Sequence, residues 1–305
     1  MKARLVTAST AAILSAALIV APAQATPAVP LNIVALGDSV ASGVGASGAN
    51  GVDYQPGTNM PGGCYRSYKS YSEQLVARLR AAGKLVNFTN KTCSGATTYS
   101  VRQTQLGALN ASTTHVLLTV GANNLQFAKY AGICIFSDCS GAPSAITGAL
   151  IGPMIVDLST LLRKIKQLAP QAQVIMVGYG QPVTRNASTP DTADRICGVF
   201  SAAERNTPGK LFEINDANDV SAYLDLALFG TALAHHVDYV SPYAKFGTLR
   251  SDFADHSLCD TEQSFYHGFD ALDPGGDGDI AVIHPKMKWQ TLASQLVASE
   301  LELIG

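Results

Sequence analysis

Apolar positions in this chain cluster into short unbroken runs instead of alternating residue by residue. Runs lie at Leu31–Leu36, His115–Val120 and Gln173–Val177, with a shorter one at Leu85–Thr89. Runs of this length, rich in Val, Ile and Leu, are what strands buried on both faces look like. Between them fall helix-prone stretches near Ser70–Ala82, Tyr99–Leu109, Ile155–Leu168 and Ala217–His235, and an amphipathic stretch from about Trp289 to Leu303. Pro170 follows the third of these and marks its end. Strands spaced by helices predict parallel strands joined by crossovers, an α/β fold. In such sheets ligands bind outside the carboxyl ends of the strands, so the residues just after each strand are where chemistry is to be sought.

The first apolar run of all is of another kind. Lys2 and Arg4 precede an apolar segment from Leu5 to Val20, followed by Ala21-Pro22-Ala23-Gln24-Ala25. A basic start, an apolar core too short to span a bilayer and a small-residue A-x-A site predict an export signal over residues 1–25, cleaved after Ala25. Residues 26–305 would then form one mature domain that is secreted. No further apolar stretch is expected to cross a membrane, because Asp, Arg, Lys, Gly or Pro interrupts each one.

Composition adds what the chain is not. With 305 residues, 47% hydrophobic and 14% charged, it is too apolar for disorder. Its net charge of -2 gives no basic footprint for nucleic acid. All 6 cysteines lie beyond the leader, and an even count in an exported chain reads as disulfides. Of the 15 possible pairings, chain-order pairing is the simplest: Cys64–Cys93, Cys134–Cys139 and Cys197–Cys259. A zinc site would want C-x-x-C or paired His-Cys clusters, which are missing.

After the first strand comes Gly37-Asp38-Ser39-Val40, a serine at a tight turn and a plausible exposed nucleophile. The stretch misses the G-x-S-x-G elbow by its last residue. Gly43, Gly45 and Gly48 match G-x-G-x-x-G in form, but start well past the strand and have no acid about 20 residues on, so no dinucleotide cofactor is expected. Other strand ends carry companion pieces: Cys93-Ser94-Gly95-Ala96-Thr97-Thr98, then Gly121-Ala122-Asn123-Asn124, and late in the chain His284-Pro285.

Gly-Asp-Ser near the mature start, a glycine, G-x-N and a late histidine, in that order, resemble the GDSL or SGNH hydrolase family, and further its secreted actinobacterial lipases, esterases and phospholipases. The resemblance covers residues 31 to 300. It implies a three-layer, flavodoxin-like α/β/α fold with a mostly parallel sheet, and a monomeric carboxylic ester hydrolase that takes ester or lipid substrates without cofactor or metal. It implies Ser39 as nucleophile, His284 as general base, and the Ser39 and Gly95 backbone N–H groups with the Asn123 side-chain amide as oxyanion donors. The chain departs from the family at the third triad member. An Asp is usual three residues before the histidine, and here that position is Ala281. The expectation is a Ser39/His284 dyad oriented by the carbonyl of Val282 or Ala281; the rival is an acid displaced to Asp279 or Asp277. Asp38 is expected to point away from the reacting atoms.

Apolar residues after Asn123, namely Leu125, Phe127, Tyr130, Ile133, Ile135 and Phe136, could line an acyl groove or simply cover the sheet. Asp273, Asp277 and Asp279 read as a solvated loop in preference to a calcium site, and His235-His236 before Asp238 as a helix end. Acyl transfer to an alcohol, polysaccharide deacetylation on the same site, and a catalytically dead surface-binding module are the competing functions.

Overall fold

The computed structural model describes residues 29–183, 208–258 and 263–301. The leader expected over residues 1–25, Cys197 and Cys259 lie outside these residues.

Five strands form one sheet: β1 (Leu31–Gly37), β2 (Val86–Asn90), β3 (His115–Thr119), β4 (Gln173–Val177) and β5 (Asp238–Val240). Their order is β2-β1-β3-β4-β5 and every pairing is parallel, the doubly wound arrangement. A two-stranded antiparallel ribbon joins β6 (Tyr243–Lys245) to β7 (Thr248–Leu249). The helices are α1 (Ser39–Ser42), α2 (Tyr71–Ala81), α3 (Thr98–Thr104), α4 (Phe127–Phe136), α5 (Ala142–Ala149), α6 (Ile151–Leu168), α7 (Pro208–Ala234) and α8 (Met287–Glu300).

Strand side chains alternate between the sheet faces, and both faces are covered. Ile33 and Ala35 of β1, Leu117 of β3, and Ile175 and Val177 of β4 pack with Leu75 and Leu79 of α2 and Trp289 and Val297 of α8. Val34, Leu36, Val116, Leu118, Val174 and Met176 pack on the opposite side with Val101 of α3, Leu158 and Leu162 of α6, and Leu224 and Leu228 of α7. Burial on both faces accounts for the unbroken apolar runs. The result is the expected three-layer α/β/α fold.

Helix starts follow local chemistry. The Ser70 hydroxyl caps α2 by accepting the Glu73 N–H, and Thr97 with Ser100 forms a capping box on α3. The stretch expected as one helix over Tyr99–Leu109 stops at Thr104 and continues as a 3-10 turn over Leu106–Ala108. Gln105 lies at the break, with its side chain turned inward onto the end of β1.

The segment after Asn123 is helical, in α4 and α5. Tyr130 and Cys139 bury with Val220 of α7, and the Cys134–Cys139 disulfide closes the turn between α4 and α5. The Cys64–Cys93 disulfide is also present. One membrane expectation needs correcting: Ala142–Leu168 is long and apolar enough, by length and composition, to cross a bilayer. Its Pro143 and Pro153 fall in the first turns of α5 and α6, where proline does not break a helix. In the fold, α6 presents Met154, Leu158, Leu161, Leu162 and Ile165 to the sheet, as a core helix does.

Candidate active site

The turn after β1 is built by crowding and capping. Gly37 has φ +133, and a Cβ there would sit 2.1 Å from the Thr119 carbonyl oxygen of β3, so only glycine fits. Both Gly37 backbone groups are clasped by one side chain: its N–H donates to Gln105 Oε1 at 2.8 Å and its carbonyl accepts from Gln105 Nε2 at 2.9 Å. Asp38 caps the four-residue α1, accepting the Val40 N–H at 3.0 Å. Ser39 is the first helical residue, so its own N–H has no intrahelical carbonyl to bond. Gly43, at φ 83, ends the helix.

His284 arrives from the other end of the chain. Its Nε2 lies 2.8 Å from Ser39 Oγ, and its Nδ1 lies 3.2 Å from the Val282 carbonyl oxygen. A carbonyl only accepts, so Nδ1 carries the proton and Nε2 presents its lone pair to the serine hydroxyl. Burial is the largest influence on this imidazole and holds its pKa down at about 4, lifted somewhat by the Val282 bond and lowered further by His267. The ring is therefore neutral at neutral pH, as a proton acceptor must be.

The histidine's backbone is fixed from two sides. His284 N–H donates to the Ala281 carbonyl at 2.8 Å, and His267 pairs across the strand-like segment, donating to the His284 carbonyl at 2.9 Å and accepting from the Ile283 N–H at 2.7 Å. Ile283 takes φ 65, a left-handed conformation costly for a β-branched residue, directly before His284. The His267 ring spans Asp270 Oδ2 at 3.1 Å and the Gly45 carbonyl at 2.8 Å. A Cβ at Gly45 would meet the Pro285 carbonyl at 2.9 Å and His284 Cβ at 3.2 Å. That contact accounts for glycine in the middle of Gly43, Gly45 and Gly48. The backbone carbonyl that meets His284 Nδ1 is that of Val282. Asp277 instead accepts from the Ser47 hydroxyl at 2.7 Å, and Asp279 is an exposed residue opening a 3-10 turn.

The Gly95 loop sits against the same turn. The Cys93 N–H donates to the Gly37 carbonyl at 2.9 Å, and the Ser94 N–H to the Cys64 carbonyl at 3.1 Å, next to the Cys64–Cys93 disulfide. Gly95 has φ +79 with open space around it, so its backbone angle and not crowding calls for glycine. Asn123 lies in the 3-10 turn Ala122–Leu125, and its side-chain N–H₂ donates one proton to the Ala96 carbonyl at 3.1 Å, leaving the second free to point elsewhere. Asn124 binds the Thr98 N–H at 3.0 Å and the Thr98 hydroxyl at 2.8 Å, tying this turn to the start of α3.

Ser39, Gly95, Asn123 and His284 all line one cavity of about 410 Å³. Its apolar wall comes from α4 through Phe127, Ala128, Ala131 and Gly132. The other apolar residues expected there divide: Leu125 is in the sheet core, Tyr130 packs on α7, and Phe136 is exposed. Sequence reasoning missed Gln105, His267 and Tyr179. It placed Asp38 away from the site, whereas Asp38 lines the cavity and is hydrogen bonded by the Tyr179 hydroxyl. Burial, its largest influence, raises the Asp38 pKa to about 7, opposed by that bond and by the Val40 N–H.

A hydroxyl in contact with a neutral imidazole, with backbone and amide donors lining the same cavity, can attack a carbonyl and hold the charge that develops on its oxygen. A model of the GDSL-like lipase/acylhydrolase family matches residues 35–287. Lipase 1 of Streptomyces coelicolor is 31% identical over 243 residues, covering 78% of this chain and 77% of that protein. A lipase of Streptomyces rimosus is 34% identical over 229 residues, covering 74% and 72% respectively. In structure, the extracellular lipase from Streptomyces rimosus superposes with a TM-score of 0.68 at 24% identity, over 89% of this chain and 99% of that one. The chain belongs to the GDSL-like lipase/acylhydrolase family and is a carboxylic ester hydrolase.

Proposed function

We propose that this is an exported esterase of the lipase type, working through an acyl-enzyme on Ser39 with His284 as its only acid-base partner. His284 Nε2 takes the proton of Ser39 Oγ as the oxygen attacks the ester carbonyl, and returns it to the departing alcohol. Water then attacks the acyl-serine, His284 again takes the proton, and the carboxylic acid leaves as Ser39 recovers its own. The oxyanion of each tetrahedral intermediate is held by the N–H groups of Ser39 and Gly95 and by the Asn123 amide, each donor typically worth about 10²–10³ in turnover. The Val282 carbonyl keeps Nδ1 protonated and takes the place of the carboxylate that Ala281 leaves out.

The 2.8 Å contact between Ser39 Oγ and His284 Nε2 carries this reading. Export follows from the leader over residues 1–25, and residues 26–305 are one hydrolase domain acting as a monomer. The test is covalent labelling by a fluorophosphonate together with turnover of p-nitrophenyl esters. Wild type should be labelled, and Ser39→Ala should lose both labelling and turnover; a Ser39→Ala protein that still hydrolyses esters would overturn the assignment. The apolar α4 wall favours medium acyl chains over acetate, so the rate should rise from acetyl towards octanoyl, and a flat or falling series would contradict that preference.

A further inference from the structure

We propose that Tyr179 is a positioning residue that locks the oxyanion donors to the nucleophile by bridging the ends of β1 and β3. The tyrosine stands two residues past β4, after Gly178, which is packed closely: a Cβ there would lie 2.4 Å from the Tyr239 hydroxyl and 2.7 Å from Asp225 Oδ1. Its backbone carbonyl is held by the Tyr266 hydroxyl at 3.1 Å. The Tyr179 hydroxyl accepts the Ala122 N–H at 3.1 Å and donates to Asp38 Oδ2. The other Asp38 oxygen accepts the Val40 N–H at 3.0 Å, and the Asp38 N–H donates to the Thr119 carbonyl at 3.0 Å.

The consequence lies in the neighbours. Asp38 directly precedes Ser39, and Ala122 directly precedes Asn123. One buried hydroxyl therefore ties the residue before the nucleophile to the residue before the amide donor, across two strand ends. Small displacements of donors cost rate far more than they cost binding. The ordinary alternative is that Tyr179 is only a wall of the cavity, and the two ideas differ in which kinetic constant they move.

This inference rests on the oxyanion roles given to Ser39 and Asn123. The test is Tyr179→Phe, with kcat and KM for a p-nitrophenyl ester normalised to fluorophosphonate-reactive sites, so that misfolded protein is not counted. A loss of about ten- to a hundredfold in kcat with KM within twofold of wild type is expected, given that a displacement of about 1 Å can cost about 10² in rate. An unchanged kcat, or a change confined to KM, would overturn the proposal. Should Tyr179→Phe yield no folded protein, Asp38→Asn keeps the shape but replaces one of the two acceptor oxygens by an N–H₂ donor, so the Val40 N–H and the Tyr179 O–H can no longer both be accepted. It should lower kcat similarly, and the proposal fails if it does not. Where both variants fold, the double variant should be no worse than either single one, because groups acting as a unit are not additive; additive losses would also overturn it. If Ser39→Ala retains turnover, the catalytic reading itself fails. If Ser39→Ala is dead while Tyr179→Phe matches wild type, only this inference fails.

Discussion

His284 shows how a side chain's surroundings set its work. Burial, opposed only in part by a neutral carbonyl, holds the imidazole at about 4, below its ordinary 6.5. The sign of the pH dependence follows. The base is competent while neutral, so kcat/KM should stay level from neutral pH downward and fall only as pH drops through about 4, which a rate profile on a p-nitrophenyl ester will read. A fall centred near 6.5 would mean that the ring is solvated as in a free peptide. The same depression costs stability on the acid side. The unfolded chain binds this proton below about 6.5 and the folded one does not until about 4, so the penalty builds across that window. A carboxylate partner would have raised the imidazole's pKa; Val282 offers only a dipole.

At the scale of elements, the loop after β2 matters as much as the strands. The Cys64–Cys93 disulfide closes a separation of 29 residues and sits beside the Ser94-Gly95 turn. Replacing both cysteines by serine should cost about 3–4 kcal/mol on the chain-entropy account, measured by urea unfolding, and should lower kcat as well, because the Gly95 N–H, the proposed oxyanion donor, loses its tether. Stability loss with unchanged turnover per labelled site would separate the disulfide from the oxyanion loop. The elements that the sequence announced are those whose own residues suffice to specify them. β1, β3 and β4 are apolar on both faces, and α2 carries its cap at Ser70. β5 went unseen because Asp238-Tyr239-Val240 is too short and polar to stand out, and pairs only through its register with β4. α4 is not among the stretches the sequence marks as helix-prone, since its helix lacks a side-chain cap and starts from Gln126 in a left-handed conformation.

The whole molecule gathers residues 39, 95, 123 and 284 into one cavity because three follow strand ends of one parallel sheet and the fourth is brought there by the segment before α8. The motif residues were legible as chemistry because the roles proposed for them, nucleophile, base and donors, have few substitutes. Their supports were not, since Gln105 grips Gly37 from 68 positions away and Tyr179 reaches Asp38 from 141, and no local pattern encodes such contacts. The absent acid had the same character. The sequence left Asp277 and Asp279 as rivals to a carbonyl, and only the fold ties Asp277 to Ser47 and sets Val282 against His284. The central claim is therefore a dyad that works without a carboxylate, and kcat/KM of Asp279→Asn tests it most directly. The account predicts a value within about twofold of wild type, whereas a loss approaching the ~10⁴ that converting a triad acid to its amide costs would contradict it.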